Sequence, residues 1–163
     1  MANDVVTTIR VIGSEEATDE FRFWFTAFHD NQEGVECMEF MPPWDEEDYP
    51  SKEWMKDCVG SDNTLVTYVS TGNVDSAITY IRSTWSHVVP FAGLLGHHLR
   101  NFDENVRLEV TYVDEMMNFA GSGNWHKGKW SLTEKDAFFW SDFSEEEIDH
   151  LLEVWLVRKK VCL

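Results

Sequence analysis

Histidine is the residue type in this sequence best suited to metal binding or proton transfer, and six are present. His97 and His98 are neighbours, so on a helix their side chains point about 100° apart and cannot bind one ion together. The remaining four have no second histidine at i,i+4; they are His29, His87, His126 and His150. The sequence therefore predicts no metal site, and leaves open only one assembled from residues far apart in the chain.

Two glycines and two lysines near residue 125 suggest a second kind of chemistry, the binding of a phosphate. Gly121 and Gly123 precede Lys127 and Lys129, and a glycine-rich backbone can cradle phosphate oxygens. The same residues also fit an ordinary basic hairpin turn, which we favour. The sequence contains no P-loop, HExxH, GxSxG or GxGxxG signature. We therefore predict no catalytic residue and no cofactor.

The segment from residue 44 to residue 54, WDEEDYPSKEW, combines acids with aromatic side chains. Aromatic residues are enriched at the energetic centres of protein interfaces, and carboxylates steer association with basic surfaces. A solvated acidic loop whose aromatic side chains fold back onto the sheet fits the pattern about equally well. The partner-binding residues predicted from this segment are Trp44, Asp45, Glu46, Glu47, Asp48, Tyr49, Glu53 and Trp54.

Thirty acids against thirteen bases give the chain a formal net charge of −17, and the excess is uneven. Residues 1–60 carry fifteen acids and four bases, residues 61–100 two of each, and residues 101–163 thirteen acids and seven bases. Such a field repels phosphate backbones and anionic membranes, so we predict no direct nucleic-acid or membrane partner. It favours a protein partner with a basic surface, or else serves solubility alone. With so many carboxylates, the adjacent pair Asp114 and Glu115 is no sign of acid–base chemistry.

The composition indicates one folded domain. The chain has 163 residues, 43% of them hydrophobic, with eight tryptophans, and a domain of this size buries about 68–70% of its unfolded surface. The first residues have no basic region before an apolar run, so we predict no signal peptide, and no apolar stretch approaches the roughly 18 residues of a membrane span. Cys37, Cys58 and Cys162 form no CxxC pair. We therefore expect buried thiols and a location in the cytoplasm.

Hydrophobic periodicity predicts an alternating set of strands and helices. A strand at 5–12 precedes a helix that Ser14 caps and that ends near His29. Strands at 64–70 and 75–82 are expected to pair as a hairpin, and a helix follows from Pro90 to about Phe102. A half-buried strand at 107–113 leads into a glycine-punctuated strand and turn. Near the C-terminus, Ser144 and Glu147 form the capping box of a last helix.

Two short motifs frame residues 83–130, namely Thr84-Trp85-Ser86 and Phe119-Ala120-Gly121. With these motifs the segment resembles the Api92-like ferredoxin-like domain of phage and plasmid proteins, also known as the YubB ferredoxin-like family. His87 and Val88 stand where that family has prolines. The resemblance covers roughly residues 5–130. It implies a βαββαβ antiparallel sheet backed by helices and an origin in a phage or another mobile element, and it implies no catalytic residues.

These observations together predict an α+β chain that forms a single domain over residues 1–163. A ferredoxin-like core would occupy residues 1–130, and a C-terminal helical extension at 131–163 would pack on it. We expect a non-enzymatic, strongly acidic phage or mobile-element protein that binds and inhibits a host protein in the host cytoplasm. The target would be the basic surface of an ATP-dependent protease of the Lon type, or of a DNA-handling or defence enzyme through charge mimicry. The alternatives are a structural or accessory module of a larger assembly and an enzyme with an unrecognised site.

Overall fold

The computed structural model describes residues 3–30, 60–61, 64–70, 73–116 and 118–136, together with residue 146. These residues form six strands and two helices, and the chain has the α+β class that the sequence predicts. The elements are β1 (Asp4–Ile12), α1 (Glu15–Asp30), β2 (Thr64–Val69), β3 (Ser76–Thr84), α2 (Val89–Leu99), β4 (Arg107–Asp114), β5 (Phe119–His126) and β6 (Lys129–Asp136).

The six strands form one antiparallel sheet in the order β2-β3-β1-β4-β5-β6. β1 lies inside the sheet and pairs along nearly its whole length with β3 on one side and β4 on the other. Along the chain α1 lies between β1 and β2, and in the sheet these two strands are separated by β3. Likewise, α2 lies between β3 and β4, which are separated by β1. The predicted hairpin of β2 and β3 is confirmed.

Alternation along β1 sends apolar side chains to the face that carries both helices. Val5, Ile9 and Val11 are fully buried there, whereas Arg10 on the opposite face is exposed. The helices contact each other as well as the sheet, and the ring of Phe25 in α1 lies 6.0 Å from the ring of Phe91 in α2. Fully burying an aromatic or branched side chain contributes about 1.5–3 kcal/mol, so this one face supplies most of the core stability.

The two helices begin and end for local chemical reasons. Ser14 caps α1 as predicted, because its Oγ accepts a hydrogen bond from the backbone N–H of Ala17 at 3.3 Å. α2 ends at Leu99, three residues before the predicted end. The N–H groups of Asn101 and Phe102 bond three residues back, to the carbonyls of His98 and Leu99, which tightens the last turn and stops the helix.

The C-terminal part of the described chain is sheet rather than helix. β6 runs to Asp136, so residues 131–136 extend the sheet, and a helical extension cannot begin at residue 131. The rest of the predicted extension, residues 137–163, lies outside the described residues apart from Glu146, which is helical. No described helix is long and apolar enough to cross a membrane.

Candidate functional site

The predicted partner-binding segment lies outside the described residues. This applies to all eight of its candidate residues, which are Trp44, Asp45, Glu46, Glu47, Asp48, Tyr49, Glu53 and Trp54. The described chain resumes at Gly60 and Ser61, which contact the connection between β3 and α2. That connection, residues 85–88, contains one of the two described non-glycine residues with a positive φ, and we call it the Trp85 loop.

Trp85 has a φ of 67°, in the left-handed region that bulky side chains avoid, and its side chain is 66% exposed. A residue held in such a conformation costs about 1–3 kcal/mol, so its surroundings must fix it. The Trp85 N–H donates a hydrogen bond to the Asn3 carbonyl at 2.9 Å. Ser83 Oγ donates to the Ser86 carbonyl at 2.5 Å, and the Val88 N–H donates to Thr7 Oγ1 at 3.5 Å. The loop is therefore tied to β1 and β3 on both sides of the exposed indole.

Gly60 and Ser61 support the Trp85 loop from a third direction. Ser61 Oγ donates to the carbonyl of Thr84 at 3.0 Å. Gly60 has a φ of 105°, and a Cβ placed there would lie 2.3 Å from the carbonyl oxygen of His87. Only glycine fits this close backbone approach without strain. The residues that follow the predicted partner-binding segment thus lie directly against the Trp85 loop.

The side chain of His87 points back onto the sheet below the loop. Its ring centroid lies 4.2 Å from that of Tyr112 and 6.3 Å from that of Phe119. Its Nδ1 accepts a hydrogen bond from the Val89 N–H at 3.3 Å, and its Nε2 lies 3.7 Å from Oε2 of Glu134. Burial lowers the pKa of His87 below its usual 6.5, and the Glu134 carboxylate opposes this shift without cancelling it.

The pairing of β4, β5 and β6 explains how Glu134 comes to face His87. Tyr112 on β4, Gly121 on β5 and Glu134 on β6 are directly paired neighbours on the helix face of the sheet. A Cβ on Gly121 would lie 2.4 Å from the hydroxyl oxygen of Tyr112, so the glycine leaves room for the phenol to cross β5. The Tyr112 hydroxyl then donates a hydrogen bond to Oε2 of Glu134.

His87, Tyr112 and Glu134 form a cluster of titratable side chains that sequence reasoning missed. Its members come from three different elements, and no spacing in the sequence could have joined them. The side chains of His87 and Glu134 remain 25% and 42% exposed, so a ligand can reach both. Chemically, a neutral imidazole beside an oriented carboxylate can accept a proton or bind a cation.

A second exposed apolar side chain lies at the same end of the sheet as Trp85. The N–H of Glu115 donates a hydrogen bond to the Asp4 carbonyl at 2.8 Å, on the side of β1 opposite Trp85. The backbones at residues 85 and 115 are therefore two strand spacings apart, about 10 Å. Met116 follows and is 69% exposed. We call Trp85, Met116 and the half-buried acids Asp4 and Glu115 the sheet-end surface.

Asp114 holds the turn that presents Met116. It is fully buried at the end of β4, and its Oδ2 accepts hydrogen bonds from the backbone N–H and the side-chain amide of Asn118 at 2.9 and 2.7 Å. Its Oδ1 accepts a hydrogen bond from the Asn3 side chain. Asp114 therefore has a structural role in holding this turn.

His97 and His98 have structural roles in the described chain. His97 packs against Trp125 at 5.2 Å, while His98 Nε2 lies 2.8 Å from a Glu20 oxygen, so the two histidines diverge as predicted. No group of three or more histidine, cysteine or acidic residues within the described ranges is placed to hold a metal ion.

The hairpin interpretation of the glycine-lysine segment is confirmed. Lys127 and Gly128 form a two-residue turn between β5 and β6, with φ values of 50° and 82°. Gly121 and Gly123 lie inside β5, where their missing side chains make room for Tyr112 and Leu132 rather than for a phosphate.

Comparison with known proteins adds little to this geometry. No protein-family model matches the chain, and no curated protein matches it significantly. Among solved structures it is similar to the crystal structure of A. aeolicus tRNASec in complex with M. kandleri SerRS, with 12% identity and a TM-score of 0.32. The match covers 98% of this chain and 32% of that chain. A TM-score this low supports no statement about fold or function, and the Api92-like resemblance stays a prediction.

Proposed function

We propose that this protein acts by binding another protein, with Trp85 as the anchor of the contact. The observation that carries the proposal is the combination of a 66% exposed indole with a left-handed backbone that three neighbouring segments hold in place. Tryptophan is the residue type most enriched at the energetic centres of interfaces. A pre-fixed anchor loses little conformational entropy on binding, so its buried area contributes more fully to affinity.

The charge of the chain defines the chemistry of the partner. A net charge of −17 favours a basic surface and speeds its encounter with the protein. We propose inhibition of a host protein as the consequence of binding, with a Lon-type ATP-dependent protease or a DNA-handling enzyme as the target class. The resemblance to phage and plasmid proteins supports this proposal, since such proteins act inside a host cell.

We further infer that the first four strands and both helices form a ferredoxin-like core. Its support is the strand order β2-β3-β1-β4, in which each helix crosses over one intervening antiparallel strand. β5 and β6 then extend this core as an added hairpin on the β4 side. Fold alone says nothing of function, so the binding proposal depends on the Trp85 loop.

Affinity capture from a bacterial lysate with three variants tests the proposal. Trp85→Ala removes the anchor, and Trp85→Gly removes it while relieving the left-handed backbone, so the second variant should be at least as stable as the natural chain. Phe23→Ala is the matched control, because Phe23 on α1 is 62% exposed and is remote in sequence from the loop. We expect one protein captured by the natural chain and by Phe23→Ala, but by neither Trp85 variant.

The captured protein should also be released as salt is raised, because salt screens a charge-steered contact. Equal capture by the natural chain and a well-folded Trp85→Gly variant would show that Trp85 is not the anchor. Capture that resists high salt would show that the partner surface is not basic.

A further inference from the structure

The carboxylate of Glu134 is oriented by its neighbours, but its charge is not balanced. Its Oε2 accepts the Tyr112 hydroxyl hydrogen bond and faces His87 Nε2 at 3.7 Å. Burial lowers the pKa of His87, so the imidazole is neutral at neutral pH. Within the described ranges, no lysine or arginine forms an ion pair with Glu134, and its other oxygen accepts no hydrogen bond. Among the described residues, this half-exposed carboxylate beside the Trp85 loop thus has no lysine or arginine as a partner.

The rings around this carboxylate suit a cation. Tyr112, His87 and Phe119 lie within 4.2–6.3 Å of one another, measured between ring centroids. Tyr112 is buried, but the partly exposed rings of His87 and Phe119 offer an aromatic surface that attracts cations. A carboxylate with one fixed oxygen offers the other to an ammonium or guanidinium group. Such groups are what a basic protein surface presents.

Resting on the proposed function, we propose that Glu134 accepts an arginine or lysine side chain of the protein partner, and that His87 competes with that side chain for the carboxylate. This contact would place a cationic side chain of the partner at Glu134, beside the Trp85 loop. It also makes recognition dependent on pH.

Competition follows from the groups that surround His87. They are Tyr112 from β4, Phe119 from β5 and Glu134 from β6, while the first turn of α2 contributes no acid. Protonation of His87 places a positive charge 3.7 Å from Glu134 Oε2, where it replaces the partner's cation. It also puts a proton on Nδ1, which then loses the hydrogen bond from the Val89 N–H. By linkage, a bound cation opposes protonation of His87 to the same extent.

Nα-acetyl-arginine amide is a suitable probe. Its binding to the whole protein is followed by NMR, through the chemical shifts of the backbone amides. At pH 7.5 the natural chain should show saturable shift changes at Tyr112, Gly121 and Glu134. Glu134→Gln should abolish them. Glu109→Gln is the matched control, since Glu109 on β4 is similarly exposed (39% against 42%) but already faces Arg10 at 4.0 Å. This control should leave the shift changes intact.

Acidification separates competition from simple binding. Between pH 7.5 and pH 5 the probe should lose affinity for the natural chain but keep it for His87→Gln, which cannot take up the proton. Unchanged shifts in Glu134→Gln, an absence of saturable shifts in the natural chain, or pH-independent affinity of the natural chain would each overturn the proposal. The Trp85 variants should bind the probe normally, so a failure of Trp85 as anchor is distinguishable from a failure of this site.

Discussion

At the scale of single residues, Trp85 combines a strained backbone with a solvent-exposed ring. Neither property helps the chain to fold, because the left-handed conformation costs free energy and the exposed indole buries little surface. Hydrogen bonds from Trp85, Ser83 and Ser61 nevertheless fix this conformation. Strain that is maintained in this way is typical of binding sites, which is why the loop is the best candidate for the contact.

His87 gives the protein a defined dependence of stability on pH. Its folded pKa lies below the unfolded value of 6.5 because burial disfavours the charged ring. Well above pH 6.5 His87 is unprotonated in both states and contributes no pH dependence. Below it, the unfolded state binds the proton first, so the free energy of unfolding should fall until the pH is below the folded pKa. Urea denaturation from pH 5 to 7.5 measures this fall, and His87→Gln should remove it. An identical pH profile for both proteins would contradict the prediction.

Gly121 should tolerate no side chain. In Gly121→Ala the added Cβ would lie 2.4 Å from the Tyr112 ring and 2.9 Å from the Thr133 carbonyl oxygen, and the backbone contact cannot relax easily. We expect a loss of about 1–3 kcal/mol in the free energy of unfolding, measured by urea denaturation. Ser122→Ala, at the exposed neighbouring position, is the control and should change it by less than about 0.5 kcal/mol. A stability loss of the same size in both variants would rule out the steric explanation.

At the scale of elements, α2 shows how tertiary contacts modify a periodic pattern. The sequence predicts a helix that extends to Phe102, but the side chains that this helix buries in the core end at Leu99 and include Phe91 and Leu95. Phe102 falls in the following turn and is 41% exposed, although its ring still contacts that of His98 at 5.5 Å. The sheet selects which side of the helix is buried, and the tightened last turn removes Phe102 from it.

The β5–β6 turn allows two opposite changes in stability at adjacent positions. Both turn residues have positive φ, which glycine and asparagine adopt most easily. Gly128→Ala should lower the free energy of unfolding by about 1–2 kcal/mol, because a left-handed conformation costs that much for a residue with a Cβ. Lys127→Asn should raise the melting temperature slightly. Thermal unfolding followed by circular dichroism measures both changes. If both variants gained stability, or both lost it, the turn conformation would not be the cause.

At the scale of the whole molecule, the acidity is concentrated outside the described fold. The described residues carry fifteen acids and eight bases, whereas the remaining residues carry fifteen acids and only five bases. The shorter part of the chain therefore holds the larger net negative charge. We therefore expect segment 44–54 to steer a partner toward the Trp85 loop, which the chain contacts at Gly60.

The net charge also predicts what the protein does not bind. At about 150 mM salt we expect no electrophoretic shift of duplex DNA, because long-range repulsion opposes contact with a phosphate backbone. Raising the salt should not create binding, since it screens attraction and repulsion alike. A shift with micromolar affinity and a steep salt dependence would contradict the acidic-binder proposal and point to nucleic acid as the partner.

Features with short-range causes could be predicted from the sequence. The alternation in β1, the Ser14 cap of α1, the β2–β3 hairpin and the turn at residues 127–128 depend on residues close together in the chain. Each follows from side-chain periodicity or backbone preference, so the α+β class could be predicted from the sequence. The divergence of the adjacent His97 and His98 side chains could be predicted for the same reason.

The candidate site was decided by tertiary structure alone. His87, Tyr112 and Glu134 are brought together by the antiparallel register of β4, β5 and β6, which residue spacing does not encode. The same holds for Trp85, whose left-handed backbone depends on bonds to Asn3 and on the support of Ser61 beside Gly60. The sequence by itself determined which elements form and how acidic the chain is, because those properties are local or additive. Which side chains meet, and the exposure of Trp85, depended on strand pairing between distant segments.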